Sequence, residues 1–155
     1  MGWLRRLFGP RVPALRFPRS GEYSERIVGE ASYQAAIERL AGGSPEDGSS
    51  CDIPVTAELI WEDDNPADDE AIQVQVQGMV VGYLTRTSAR LYRRWMATAG
   101  YQGRRAVCGA RIVGGRDRGP RGRGYFGVEL DVPAFYGPVS SGEEGACDDD
   151  QGDAR

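Results

Sequence analysis

Lysine and histidine are both absent from the 155 residues, so all nineteen basic residues are arginine. Without histidine the chain lacks the commonest general base, the commonest metal ligand and the usual near-neutral pH switch. Serine-hydrolase and histidine-zinc chemistry are thereby excluded. Without lysine there is no P-loop, and no G-x-G-x-x-G follows a strand-like run, so both nucleotide fingerprints are missing. Cysteine is scarce: Cys51, Cys108 and Cys147 are widely spaced, form no C-x-x-C pair and are too few to close a zinc site alone. An odd, sparse set of thiols without a secretory signal is expected of a protein in a reducing cytoplasm.

The net charge of −4 conceals strong segregation. Residues 1–20 carry five arginines and no acid, residues 46–70 carry ten acids and no arginine, and residues 84–128 carry eleven arginines against Asp117 alone. A partner senses charge within a Debye length of about 8 Å, so these blocks predict binding better than the total does. "MGWLRRLFGP" is one or two turns with an apolar side, too short to span a bilayer. Residues 1–20 therefore read as a basic amphipathic N-terminal arm, for which contact with a membrane surface or a partner stays open. Residues 138–155, rich in Gly, Ser and Asp, read as an acidic disordered tail.

Between these ends the hydrophobic period alternates between two and 3.6. Arg26 to Gly29 reads as a short strand, and a helix starts near Ser32 with Tyr33, Ile37 and Leu40 on one face and Gly42-Gly43 ending it. From Ile53 the period becomes two, and it resumes over Ile72, Val74 and Val76; Gly78 turns the chain into "MVVGYL". "TRTSARLYRRWMATAG" reads as a second helix with Thr85 or Thr87 as N-cap and Leu91 and Trp95 on its apolar face, followed by strands over 106–113 and 125–132. The order β-α-β-β-β-α-β-β predicts a mainly β, α+β fold: one antiparallel sheet, curling partly or wholly into a small barrel with two short helices.

Two segments stand out as candidate sites. "WEDDNPADDEAI" places six carboxylates around an Asn-Pro step between two strands. It lacks the ligand spacing and turn glycine of a calcium loop, and most of its acids suit a solvated hairpin corner that discourages edge pairing. Asn65 and Asp68 differ, because Asn and Asp beside a proline bond back to the backbone and hold a loop in one shape. "GGRDRGPRGRGYF", containing Arg121 and Arg123 and ending in Tyr125 and Phe126, is basic, flexible and aromatic, the ingredients of a groove that tracks a strand and stacks its bases. Arg86, Arg90, Arg93 and Arg94 would extend that face if the second helix lies beside the hairpin.

"IVGEASYQAAIERL", "VTAELIWEDDNPADDEAIQVQVQGMVVGYL" and "GYFGVELDVP" together resemble the HIRAN domain, with the most specific stretch being E-x-x-N-P-x-D-x-x-A-[IV]-x-V followed by G-Y-L. The likeness runs from about Ile27 to Pro133, within a HIRAN-like domain read as 21–137. It implies an OB/SH3-like barrel and a non-catalytic module that binds single-stranded DNA and captures free 3′-hydroxyl ends, in DNA repair or replication-fork processing. By that resemblance Asp68 accepts from the 3′-hydroxyl and Asn65 contacts the terminal nucleotide. Tyr33 stacks on a base or meets the backbone, Arg86 takes a phosphate, and Tyr125 or Phe126 lies near a further stacking position. No cofactor or metal is implied, ATP hydrolysis belongs to motor domains this chain does not contain, and a repair or replication protein is the expected partner besides DNA. Ser32, Ala67 and Asp64 depart from the family pattern, the first two removing stacking faces of about 1–3 kcal/mol each. A protein-interaction adaptor using the same barrel without nucleic acid is the alternative.

Overall fold

The computed structural model describes residues 13–43, 49–115 and 124–132. Most of the arm, the tip of the basic hairpin with Arg121 and Arg123, and the whole acidic tail lie outside them. The strands are β1 (Leu15–Arg16), β2 (Glu25–Arg26), β3 (Cys51–Glu62), β4 (Ala71–Val76), β5 (Met79–Tyr83), β6 (Ala106–Gly114) and β7 (Phe126–Asp131). A 3-10 turn (Glu30–Tyr33) leads into α1 (Gln34–Ala41), and α2 (Arg86–Thr98) joins β5 to β6. Apart from the extra two-residue β1, this is the expected order.

The strands form one sheet in the order β2-β7-β6-β3-β4-β5, antiparallel throughout except for β1, which runs parallel to β6. Twelve residues long, β3 pairs with β6 over Cys51–Leu59 and with β4 over Ala57–Glu62, so it belongs to both halves of the curl. Period-two alternation fills the interior with Ala57 and Leu59, Ile72, Val74 and Val76, Cys108, Ala110 and Ile112, and Phe126, Val128 and Leu130. Where the chain leaves β2, Val28 exchanges both backbone hydrogen bonds with Tyr83 at 2.8 and 2.9 Å, so one segment touches β7 on one side and β5 on the other. The sheet is thereby drawn into a barrel-like form.

Thr85 caps α2, its Oγ1 accepting from Ser88 N at 3.1 Å, and the left-handed Gly42 (φ 75°) ends α1. The expected apolar face of α2 needs correction. Ala89, Tyr92 and Met96, spaced three and four apart, are the buried positions, while Leu91 and Trp95 are only half-buried. Trp95 instead packs against the buried Phe17, whose ring lies 5.9 Å from it and 6.2 Å from Tyr92, both edge-on. No helix among the described residues is long and apolar enough to cross a membrane.

Phe17 also corrects the boundary at residue 20. Leu15–Arg16 pair with Ala106–Val107, and Phe17 is buried, so the last residues assigned to the arm belong to the barrel. A single carboxylate fastens them. Asp131, 1% exposed at the end of β7, accepts from Ser20 N, Ser20 Oγ and Gly21 N. Burial pushes its carboxyl up, but the Ser20 and Gly21 donors, with Arg19 nearby, outweigh burial and hold it below the usual aspartate range. Asp131→Ala is expected to cost about 1.5–3 kcal/mol in urea unfolding at neutral pH, the range for hydrogen bonds to a charged group. Because the folded pKa is depressed, the carboxylate's contribution is complete above the unfolded value of about 3.9 and is lost as pH falls through the folded one. The gap between wild type and variant should therefore shrink below about pH 4; a gap unchanged down to pH 2 would contradict this assignment.

Cys51 and Cys108 are both buried and free. Burial, with Asp131 adding to it, pushes the Cys108 thiol up to about 12, so it stays protonated and unreactive at neutral pH.

Candidate functional site

The acidic loop between β3 and β4 is built as the Asn-Pro step predicts. Asn65 Oδ1 accepts from Ala67 N at 2.8 Å and from Asp68 N at 3.2 Å, folding the loop over its own side chain. Asp68 repeats the device two residues on, with Oδ1 accepting from Glu70 N at 3.0 Å. These bonds turn the Asp68 side chain inward: it is 14% exposed, whereas that of Asp63 in the same loop is 74% exposed. Acids are rarely this sheltered unless paired.

The pairing comes from α2, whose first turn starts three residues after β5 and faces the loop. Arg86 Nε stands 3.8 Å from Asp68 Oδ2, and Arg90 Nη2 stands 3.8 Å from Oδ1. Both separations exceed hydrogen-bond length. The carboxylate thus lies between two guanidinium groups, and among the described residues no donor lies within hydrogen-bond distance of its Oδ2, which keeps lone pairs to spare. Two neighbouring acids also meet arginines, one of them sharing Arg90 with Asp68. Asp63 accepts from Arg93 at 2.7 Å, and Arg90 Nε lies 3.6 Å from Glu70. Arg93 also donates to Ala71 O at 2.8 Å and stacks 4.6 Å from the Trp61 ring centroid, which ties α2 to the β3–loop–β4 corner.

A polar chain runs from this corner across the sheet. Asn65 Nδ2 donates to Glu62 at 3.4 Å, Gln73 Nε2 lies 3.5 Å from both Glu62 Oε2 and the Tyr83 hydroxyl, and the Tyr83 ring lies 6.4 Å from that of Tyr33. Burial above all pushes the Tyr83 phenol up to about 12; the Gln73 hydrogen bond opposes it, and smaller effects of Glu62 and Tyr33 add to it, so the phenol stays protonated. Tyr33 is held by its neighbours in sequence. Glu30 Oε1 accepts from Val128 N at 2.8 Å, and Gln34 bonds both the N–H and the C=O of Phe126 at 2.8 and 2.9 Å. Those bonds clamp the 3-10 turn and the start of α1 onto β7. Burial raises the Glu30 carboxyl above its ordinary value in spite of the Val128 bond and Arg26.

Four expected residues, Tyr33, Asn65, Asp68 and Arg86, thus belong to one connected surface. Tyr125 does not lie on that strip: it is 76% exposed and lines a separate cavity with Arg26, Glu30, Val113, Gly127 and Glu129. Phe126 is a correction. As the first residue of β7 it shares the inward face with Val128 and Leu130, is 3% exposed, and has no ring face open to a ligand. Arg121 and Arg123 lie outside the described residues, as does most of the segment that α2 was expected to accompany. Among the described residues, helix α2 borders the acidic loop.

Sequence reading missed Tyr83, Gln73 and Glu62. Their signal was strand parity: Gln73 pairs with Tyr83 on β5, and Glu62 sits one pleat along β3, all on the face opposite Ile72 and Val74. Among the described residues no cluster of three Cys, Asp or Glu side chains is arranged to hold a metal ion. No family model, no curated protein and no solved structure matches this chain.

Proposed function

We propose that this chain is a non-catalytic module that binds single-stranded DNA and takes its free 3′-hydroxyl end at Asp68. The observation that carries the reading is the open Oδ2 of a sheltered carboxylate between Arg86 and Arg90, joined through Asn65, Glu62 and Gln73 to the paired rings of Tyr33 and Tyr83. A carboxylate repels the phosphates of a continuous strand but accepts from a terminal hydroxyl, and such a charge-assisted bond is roughly twice as strong as a neutral one. The guanidinium groups supply attraction for the adjacent phosphate, and the tyrosines a face for the terminal base. The likeness of the loop motif to the HIRAN domain supports the same assignment and points to repair or replication-fork processing.

Tyr83 bears on the loss of stacking faces at Ser32 and Ala67. It places a second ring beside Tyr33, so the strip keeps two aromatics.

Fluorescence anisotropy with one oligonucleotide ending in a 3′-hydroxyl, a 3′-phosphate or a 3′-blocked sugar tests the proposal. The hydroxyl end is expected to bind about 10- to 100-fold tighter than the phosphate end, the equivalent of 1.5–3 kcal/mol for a bond to a charged acceptor. Equal binding of all three ends would leave generic strand binding only. No binding of any of them would favour a protein-interaction role for the barrel.

A further inference from the structure

The outer side of α2 carries arginines beyond those at Asp68. Arg86, Arg90 and Arg94 are four residues apart, so they rise along one stripe of the helix by about 6 Å per step. That interval is of the same order as the separation of successive phosphates along an extended strand. Arg93, one position from the stripe, is committed elsewhere: its side chain is 13% exposed and is pinned by Asp63, Ala71 O and the Trp61 ring. The stripe itself is lightly held. Arg86 and Arg90 have side chains 72% and 46% exposed, with ion pairs of 3.6–3.8 Å, and Arg94 is exposed with no partner among the described residues. Loose exposed pairs of this kind are worth about 0–1 kcal/mol, so they exchange readily for phosphate oxygens.

Past Asp68 the stripe opens into a concavity of about 430 Å³ lined by Trp61, Glu70, Arg90, Arg94, Ala97 and Gln102 along with Arg93. Its one acid, Glu70, is faced by Arg90. We infer that the backbone of the bound strand runs along α2 from Asp68 toward this concavity, with Arg86, Arg90 and Arg94 each taking one phosphate. A line of three cations at one-turn intervals fits a linear polyanion rather than an isolated anion. The inference rests on the proposed end-binding function and adds the footprint: a single strand with at least three phosphates behind its 3′ end.

The test measures binding of 3′-hydroxyl oligothymidylates from two to eight nucleotides by wild type, Arg94→Gln and Arg39→Gln, the last an exposed arginine on α1 as a control for net charge. Arg94→Gln is expected to leave the dinucleotide unaffected, to weaken strands of four or more nucleotides several-fold, and to reduce the slope of log K against log salt by about 0.7, the single-strand value per phosphate. Arg39→Gln should match wild type throughout. Equal losses at every length, equal losses in both variants, or no loss in Arg94→Gln while the 3′-hydroxyl preference persists would each overturn the footprint but spare the end-binding reading. A wild-type protein that binds no strand overturns both.

Discussion

Asp68→Ala is expected to bind 3′-hydroxyl and 3′-phosphate strands with equal affinity, erasing a discrimination of about 10- to 100-fold. Two effects act together. The hydroxyl end loses its charged acceptor, while the phosphate end is freed from a repelling carboxylate and gains access to Arg86 and Arg90, which no longer share their charge with Asp68. Binding of the phosphate strand should therefore strengthen in absolute terms, an outcome that general damage to the loop cannot produce. Asp68→Asn supplies the control. Its amide oxygen can still accept from Glu70 N and keep the loop shape, and it accepts the hydroxyl as a neutral group, so an intermediate preference is expected. Measured by competition anisotropy, a ranking other than wild type, Asn, Ala would remove the carboxylate from the mechanism.

Gly82→Ala is expected to lower stability by about 3–5 kcal/mol, combining backbone strain with overpacking. Gly82 has φ 156°, and a Cβ there would lie 2.6 Å from Val28 O and 2.8 Å from Ile27 Cδ1. The position faces the segment that joins the two sides of the sheet, next to the Val28–Tyr83 bridge and just beyond the register shift between β4 and β5. An alanine must push residues 27–28 away from β5, and with them the turn that carries Tyr33. Gly78→Ala is the comparison. Gly78 also has positive φ, 77°, but nothing lies within 4 Å of its would-be Cβ, so only the conformational cost of about 1 kcal/mol applies. Similar urea midpoints for the two variants would show that the approach of residue 28 to β5 contributes little to the fold.

The contrast between these glycines shows what could be read from sequence. Period-two patterns over 53–61 and 72–76, and Thr85 and Gly42 at helix ends, are local signals, and the elements they mark stand where expected. Long-range contacts have no such signal. Nothing around Phe17, in a stretch of proline and arginine, announces that it packs on Tyr92 and Trp95, and nothing in "ELDVP" shows that Asp131 turns inward to meet Ser20, 111 residues away. The Asn65 and Asp68 side chains were legible because their hydrogen bonds reach only two or three residues. Phe126 was misjudged although parity with Val128 and Leu130 pointed inward, because its place beside Tyr125 and the arginines suggested one aromatic surface. Tyr83 needed the sheet register to bring it opposite Gln73.

A crystal structure of the protein with a short oligonucleotide bearing a 3′-hydroxyl is the most direct measurement. The terminal oxygen should lie about 2.5–2.7 Å from an Asp68 carboxylate oxygen, the last base against Tyr33 or Tyr83, and the adjoining phosphates beside α2. A strand whose terminus lies away from Asp68, or which crosses the loop as a continuous chain with a phosphate at that position, would contradict the account.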